Sequence, residues 1–516
     1  MATPPHTERR SQRRGQRPES PLLQVPFRQP RHPWPPLAVI SEDQVEAVHL
    51  ASLRILEETG LELLDDETLD LWEKAGAAVD RARGLVRMDR ALVLNLIGQA
   101  PAAFNYRARN PAHTLRVGEN VLTFTAQAGM AYVSGLDLPR RPGTAEHQAN
   151  FLKLNQLIPV IHTAGGAAVE AQDVPVSVRH LRRTLAVYTL TDKAVGGAAH
   201  GREIPADSIN MAKLVYGDPL PADPVLMGNI NASSPLRYDA RMLGGAITLA
   251  RAGQPVVVTP FIMAGAVSPI TTAAAIAQQN AEALAGLATL QLARPGVPMV
   301  YGGFTTNIDM RSGSPAFGTP EGAWALAVGA QLARRYRLPY RGSGSLCTAK
   351  TADAQAAYET MWTLWPAVMA HTNLIIHSAG WIDGGLTTSF EKFILDVEML
   401  AMFQHFLAGF EINADTLALD SIAAVGPGGH HFGTAHTQAR YLTEHYQSFV
   451  VGDRQNFETW QANGAQDAEQ RANAVWKDLL ARYEPPPLDP AIREALEDYV
   501  ARRERDLAGV NLYETL

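Results

Sequence analysis

Three imidazoles sit in a stretch that glycine and proline keep from becoming helix or central strand: Gly426-Pro427-Gly428-Gly429-His430-His431-Phe432-Gly433-Thr434-Ala435-His436-Thr437. Glycine allows close backbone approach and proline removes a donor, so the stretch reads as a tight loop carrying groups that exchange protons near neutral pH. A functional reading folds it back over or beside a site, with His430 or His436 facing that site. A structural reading makes it a cap that fixes the C-terminal segment. His430 and His431 are adjacent rather than spaced for one helix face, so they are not a two-ligand zinc motif. A second set of reactive groups falls at the ends of short apolar runs: Gln127, His162, His200, Asn229, Asn231, Tyr301, Phe304, Ser343, His377 and Trp381. It contains aromatic, amide and imidazole groups and almost no carboxylate.

That shortage narrows the chemistry. A glycosidase needs two facing carboxylates; Asp383 and Glu391 follow the last run, with no partner at another run's end. Cys347, the only cysteine, lacks a base that sequence can place and reads as a buried, inert thiol. A zinc or iron site built from His162, His200 and His377, and with it a metal-dependent hydrolase or lyase, stays open as an alternative. What the set suits best is a cation. A quaternary ammonium has no hydrogen-bond donor and is recognised by aromatic faces. Tyr301, Phe304 and Trp381 stand at run ends as cage candidates, whereas Trp362 and Trp365, three apart on a helix, read as packing against the body of the protein.

The elements that must position these groups are regular. Runs of β-branched or small residues occur at Val121–Ala126, Ile158–Gly165, Ala194–His200, Pro224–Ile230, Pro255–Phe261, Pro298–Phe304, Leu338–Gly344 and Asn373–Gly380, starting roughly 30 to 45 residues apart. Helical segments fill the gaps, among them Thr271–Ala293, Pro320–Tyr336, Ala352–Ala370 and Ser389–Gly409. Eight strand–helix units predict an α/β fold of the (β/α)8 TIM-barrel type. The runs lack alternation, as parallel strands buried on both faces should. In such barrels chemistry sits at the C-terminal strand ends, where the second set lies.

Residues 37–118 read as a helical lead-in, with helices at Ser41–Gly60, Asp66–Lys74 and Arg90–Ala100. Residues 119–412 form the barrel, and 413–516 carry the glycine-histidine loop and a helical extension. Residues 1–36 hold seven arginines, two glutamates and nine prolines, a composition expected to stay disordered. Their Arg-Arg pairs are not followed by the apolar stretch of an export signal. Over all 516 residues the net charge is −7, with 46% hydrophobic and 19% charged residues, which fits a globular enzyme and not a nucleic-acid binder. One cysteine and no membrane-length apolar run point to the cytoplasm.

The glycine loop, with the helical run bearing Arg454, Trp460, Arg471, Trp476 and Lys477 behind it, resembles the C-terminal signature of the trimethylamine methyltransferase family. The resemblance extends to His49-Leu50-Ala51-Ser52-Leu53, Leu56-Glu57-Glu58-Thr59-Gly60, Ser268-Pro269-Ile270-Thr271, Asn280-Ala281-Glu282, Asp309-Met310-Arg311-Ser312-Gly313-Ser314-Pro315 and Leu417-Ala418-Leu419-Asp420. It implies a barrel that binds a methylated amine and presents it to the cobalt of a separate corrinoid protein. On that basis this chain binds no corrinoid or metal itself, and no Asp-x-His-x-x-Gly motif is found. The founding branch carries pyrrolysine at a position that falls near Leu346 when aligned on Ala349-Lys350. Leucine forms no adduct with a tertiary amine, so the resemblance implies a quaternary, glycine-betaine-like donor whose nitrogen is already charged. His377, His430 and His436 are then the expected catalytic residues, and Asn229, Tyr301, Phe304, Leu346 and Trp381 the substrate-binding ones. A carboxylate on the donor would seek His377, His430, Asn229 or Asn231. A barrel that keeps the pocket but has lost activity is the other alternative, and the oligomeric state is left open.

Overall fold

The computed structural model describes residues 26–166, 168–448 and 451–512. Eight parallel strands form the centre: β1 (Thr123–Phe124), β2 (Thr163–Gly165), β3 (Ala194–Gly196), β4 (Leu226–Ile230), β5 (Val256–Val258), β6 (Met299–Gly302), β7 (Tyr340–Ser343) and β8 (Leu374–Ile376). Each lies inside one of the eight apolar runs. Neighbours in sequence are neighbours in the sheet, and β8 pairs with β1. The remaining seam, β1 to β2, is closed by the His162 N–H donating to Phe124 C=O (2.9 Å) and the Thr163 hydroxyl donating to Thr125 Oγ1 (3.2 Å). His162 Nδ1 accepts from Phe124 N–H at 2.9 Å, and Nε2 faces the Arg28 carbonyl at 2.9 Å.

The outer ring comprises α1 (Ala145–Leu157), α2 (Val176–Leu190), α3 (Glu203–Tyr216), α4 (Ala240–Arg251), α5 (Thr272–Ala293), α6 (Pro320–Arg335), α7 (Ala354–Met369) and α8 (Phe390–Ala408). Side chains that accept the orphan N–H groups of the first turn start several of them, including Asp239 for α4, Thr319 for α6 and Asp353 for α7. The 22-residue α5 is buried along nearly its whole length, because the lead-in covers its outer face. Here Asn280 donates to Ser52 Oγ and Tyr336 Oη and accepts from Tyr301 Oη, each at 2.9 Å, while His49 Nδ1 meets Tyr336 Oη at 2.7 Å. The sequence blocks around His49 and Asn280 therefore lock lead-in to barrel.

The lead-in is not helical alone. Its helices, Glu42–Arg54 with a π turn to Thr59, Asp66–Lys74 and Arg90–Ile97, match the sequence reading closely. Between them Leu61–Leu64, Ala78–Asp80 and Leu85–Arg87 make a sheet with Arg237–Asp239. These strands are three or four residues long, and one of them pairs with a distant segment, so local pattern does not show them. A hairpin, Ala103–Tyr106 with Leu115–Gly118, plugs the barrel floor; Phe104, Tyr106 and Val117 pack there with Ala194, Met227, Val257, Val300 and Leu374.

The expected disordered tail 1–36 needs correction over its last part. Residues 1–25 lie outside the described residues, but 26–36 are docked on the floor. Gln29 exchanges hydrogen bonds with the Arg116 backbone (2.9 and 2.7 Å), Leu122 N–H donates to Pro30 C=O, and Arg31 forms a β-bridge with Val121. Phe27 packs on His113 (ring centroids 4.4 Å) and lies 5.5 Å from the buried Lys193 ammonium. Composition missed this because the contacts are backbone pairings and one aromatic plug rather than an apolar stretch.

At the C-terminus, Ala468–Ala481 packs on α8, where Trp476 stacks on Phe390 (4.7 Å) and Trp476 and Asn473 donate to Glu391. Pro490–Asp506 covers α2 and α3, with Arg503 and Tyr499 on the buried Asp207 (2.7 and 2.6 Å).

Candidate functional site

Along β7 the side chains alternate. Tyr340 turns outward and its hydroxyl donates to Leu326 C=O on α6 (3.0 Å), so Arg341 and Ser343 turn into the barrel. The Ser343 hydroxyl meets His377 Nδ1 at 3.2 Å. His377 follows β8 in the left-handed region (φ 62°), a conformation that directs its ring across the strand ends rather than onto the helices. Gly380 N–H donates to Asp396 (2.8 Å), and Asp396 pairs with Lys392; this buried pair holds the segment from His377 to Trp381 against α8.

The ring of Trp381 lies against His377 (4.6 Å), Phe317 (5.3 Å) and Phe304 (6.2 Å, edge to face). Phe304 stacks on Phe261 (4.9 Å) and Phe317 (5.7 Å). Four aromatic side chains from the ends of β5, β6 and β8 thus form one cluster at the C-terminal mouth. A pocket beside it is lined by Phe304, Thr305, Phe317, Ser343, Leu346 and Thr363. Leu346 is held there by reciprocal bonds between its backbone and the Thr363 hydroxyl (3.0 and 3.3 Å).

The site's charge state follows from burial. His377 is held neutral, its pKa pushed far below the ordinary imidazole value by burial and then by the Arg341 cation. Cys347 donates its thiol to Trp381 C=O while Trp381 Nε1 donates to Cys347 C=O, both at 3.1 Å. Burial raises that thiol to about 12, so it is inert, as read from sequence. Asp383 is engaged by Arg140, Thr387 and Lys350, and Glu391 by Trp476 and Asn473. No carboxylate is hydrogen-bonded or ion-paired to His377, Ser343 or Arg341 among the described residues.

The structure brings Phe304, Leu346, His377 and Trp381 together. Asn229, half-buried on β4, accepts from the Thr259 hydroxyl (3.3 Å). Three expected residues lie elsewhere. Tyr301 is fully buried on the outward face of β6, its hydroxyl on Asn280 of α5; strand alternation puts it one residue out of phase with the lumen, so it forms no cage wall. His430 and His436 sit in an excursion, 410–442, in which Phe410, Ile412, Leu419 and Phe432 are all more than 60% exposed. The polar contacts of the loop stay within the excursion: Thr434 donates to His431 C=O, Gln438 to Phe432 C=O, and Arg440 pairs with Asp415. Among the described residues no hydrogen bond or ring contact joins His430 or His436 to a strand end, and no buried apolar side chain anchors the short helices of the loop. Trp362 and Trp365, expected to pack inward, are about half exposed.

His162 belongs to the barrel seam, and His200 and Asn231 are exposed. No group of three His, Cys, Asp or Glu residues converges on a metal-binding position among the described residues. Sequence reasoning missed Phe261, Phe317 and Arg341. Two of them left a signal: Phe261 closes the apolar run Pro255–Phe261, and Arg341 is a charged residue inside the apolar run Leu338–Gly344.

The fold and mouth define a (β/α)8 barrel whose C-terminal face offers aromatic surface and a neutral imidazole that, among the described residues, no carboxylate contacts by hydrogen bond. Residues 6–508 match the Trimethylamine methyltransferase (MTTB) family, and the chain belongs to it. It is 38% identical to a glycine betaine methyltransferase of Desulfitobacterium hafniense, over 92% of this chain and 98% of that protein. Similarity to a trimethylamine methyltransferase MttB of the same species is 31%, over 91% and 94%, and to MttB2 of Methanosarcina mazei 28%, over 91% and 96%. No helix among the described residues is long and apolar enough to cross a membrane.

Proposed function

We propose that this protein transfers a methyl group from a quaternary, betaine-like amine to the cobalt of a corrinoid carried by a separate protein. The observation that carries the reading is the Phe261–Phe304–Phe317–Trp381 cluster at the mouth, with an ordinary leucine, Leu346, lining the pocket beside it. The reduced corrinoid supplies the nucleophile that takes the methyl group; the C–N electrons stay on the departing tertiary amine. A quaternary nitrogen is already a leaving group, so the chain need supply no covalent activation, and Leu346 shapes the pocket.

The remaining work is positioning and desolvation. The rings of Phe304 and Trp381 face the trimethylammonium, each worth about 0.5–2 kcal/mol depending on desolvation. Cluster and loops exclude water and hold one methyl toward the open mouth, where the partner must dock. His377, neutral and fixed by Ser343, orients the donor without repelling its cation. Asn229 extends the polar side of the lumen. His430 and His436, on the exposed excursion, belong in this reading to the face that meets the corrinoid protein.

A thermal-shift screen tests the donor class. Glycine betaine at 100 times its dissociation constant stabilises the fold by about 2.7 kcal/mol, while trimethylamine at the same concentration gives no shift. A shift with trimethylamine alone, or with no methylated amine at all, overturns the quaternary-donor reading.

A further inference from the structure

Among the described residues Arg341 has no ion-pair partner inside the barrel. Its side chain is 3% exposed. Its guanidinium carbon lies 5.3 Å from the centre of the Phe304 ring, and its one hydrogen bond is a long contact from NH1 to Gly303 C=O, 3.4 Å. Its Nε is buried with no acceptor. Other buried ionic groups are satisfied: Asp207 is met by Arg503, Tyr499 and His180, Lys392 by Asp396, and Lys193 by the carbonyls of Asn155, Ile158 and Ile161. Burial pulls the Arg341 pKa down to about 10 with no carboxylate to offset it, and at neutral pH the group still carries its charge.

Burying a guanidinium without an anion is costly. A barrel tolerates it where the anion arrives with a ligand. Gly302 pairs with Arg341 across β6 and β7, and Thr259 packs into the space a side chain at Gly302 would take, so the strand beside the guanidinium brings it a hydroxyl-bearing neighbour and no carboxylate. Gly196 on β3 is exposed although it lies in a barrel strand, which shows that the interior is open to solvent from the mouth.

We propose that Arg341 is an anion subsite beneath the Phe304 ring, binding the carboxylate of a short zwitterionic donor whose ammonium rests on Phe304. This rests on the quaternary-amine reading and deepens it. The subsite lies against the aromatic cluster itself, since Phe304 contacts both Arg341 and Trp381. A carboxylate placed on the guanidinium therefore puts an ammonium one or a few carbons away at the cage. The planar fork of arginine suits bidentate carboxylate recognition. The class of donor is then a betaine with a short spacer, and not choline or a simple tetraalkylammonium.

Calorimetric titration with four probes separates the parts: glycine betaine; choline, which lacks the carboxylate; tetramethylammonium; and 3,3-dimethylbutanoate, in which carbon replaces the cationic nitrogen. The wild type is expected to bind glycine betaine at least ~100-fold more tightly than choline, and to bind 3,3-dimethylbutanoate measurably. Arg341→Met is expected to lose at least ~100-fold in betaine affinity, all binding of the butanoate, and none for choline; that factor equals about 2.7 kcal/mol. Arg341→Lys, which keeps the charge if the methionine variant does not fold, retains part of the preference. Wild-type protein that binds choline and tetramethylammonium as tightly as betaine overturns the anion subsite and leaves the quaternary-amine reading standing. Wild-type protein that binds none of the three ammonium probes overturns that reading itself.

Discussion

Replacing Trp381 separates the cage from the core. Its side chain is 4% exposed, its Nε1–H donates to Cys347 C=O, and its ring lies on Gly385 so closely that a side chain there would strike it. Truncation to alanine removes a fully packed indole and leaves a cavity among Phe304, Phe317 and His377, at a cost of about 3–5 kcal/mol. For a chain of this length that corresponds to an apparent melting temperature lower by about 3–5 °C. The tryptophan thus does two jobs, and alanine confounds them. Phenylalanine keeps an aromatic face and forfeits the bond to Cys347 C=O, costing about 1–2 kcal/mol. It exchanges the best cation-binding ring for a weaker one, about 0.5–1 kcal/mol, or a two- to five-fold rise in the dissociation constant for glycine betaine. Melting curves with and without ligand, followed by titration of the folded Trp381→Phe protein, measure both effects. A Trp381→Ala protein that melts within a degree of wild type refutes the packing argument; a folded Trp381→Phe protein with unaltered betaine affinity refutes the cage.

Deleting residues 1–36 should destabilise the barrel by several kcal/mol, because it strips Phe27 from the floor and leaves the buried His162 without its Arg28 partner; a deletion variant melting like wild type would show the docked segment to be dispensable. Tyr301→Phe should lower stability by about 1 kcal/mol through the lost bond to Asn280 and leave betaine binding unchanged, so altered affinity would return Tyr301 to the cage. Acid should weaken the fold early. Burial holds His162 neutral with a pKa near 3, below the unfolded value of 6.5, so its contribution is complete above pH 6.5 and is lost at about 1.4 kcal/mol per unit as pH falls toward 3. A urea midpoint that stays level from pH 7 to pH 5 would contradict it.

The eight strands were legible because parallel barrel strands are buried on both faces and appear as continuous apolar runs. Face assignment was harder. Tyr301 and Gly302 are one residue apart, and only the strand's phase decides which enters the lumen; the hydroxyl bond to α5 settles it. Arg341 lies inside its strand and not at the end, and a lone arginine gains meaning only when the absence of a carboxylate partner can be seen in three dimensions. The glycine-histidine loop misled in the other direction. Its residue types suggest a lid, yet its destination depends on an anchoring apolar contact that local sequence does not encode. The lead-in strand Leu61–Leu64 pairs on one side with Leu85–Arg87 and on the other with Arg237–Asp239, far along the chain.

The central claim is methyl transfer from a quaternary betaine, and a single-turnover reaction with isotopically labelled glycine betaine tests it most directly. Purified protein is mixed anaerobically with excess donor, deuterated in its methyl groups, and with cob(I)alamin in place of the partner's corrinoid; both products are then read by mass spectrometry. The account predicts deuterated methylcobalamin and dimethylglycine in equal amounts, with no methyl transfer when trimethylamine replaces the betaine. Labelled methylcobalamin from trimethylamine, or betaine bound and recovered intact beside cobalamin that stays unmethylated, would contradict it.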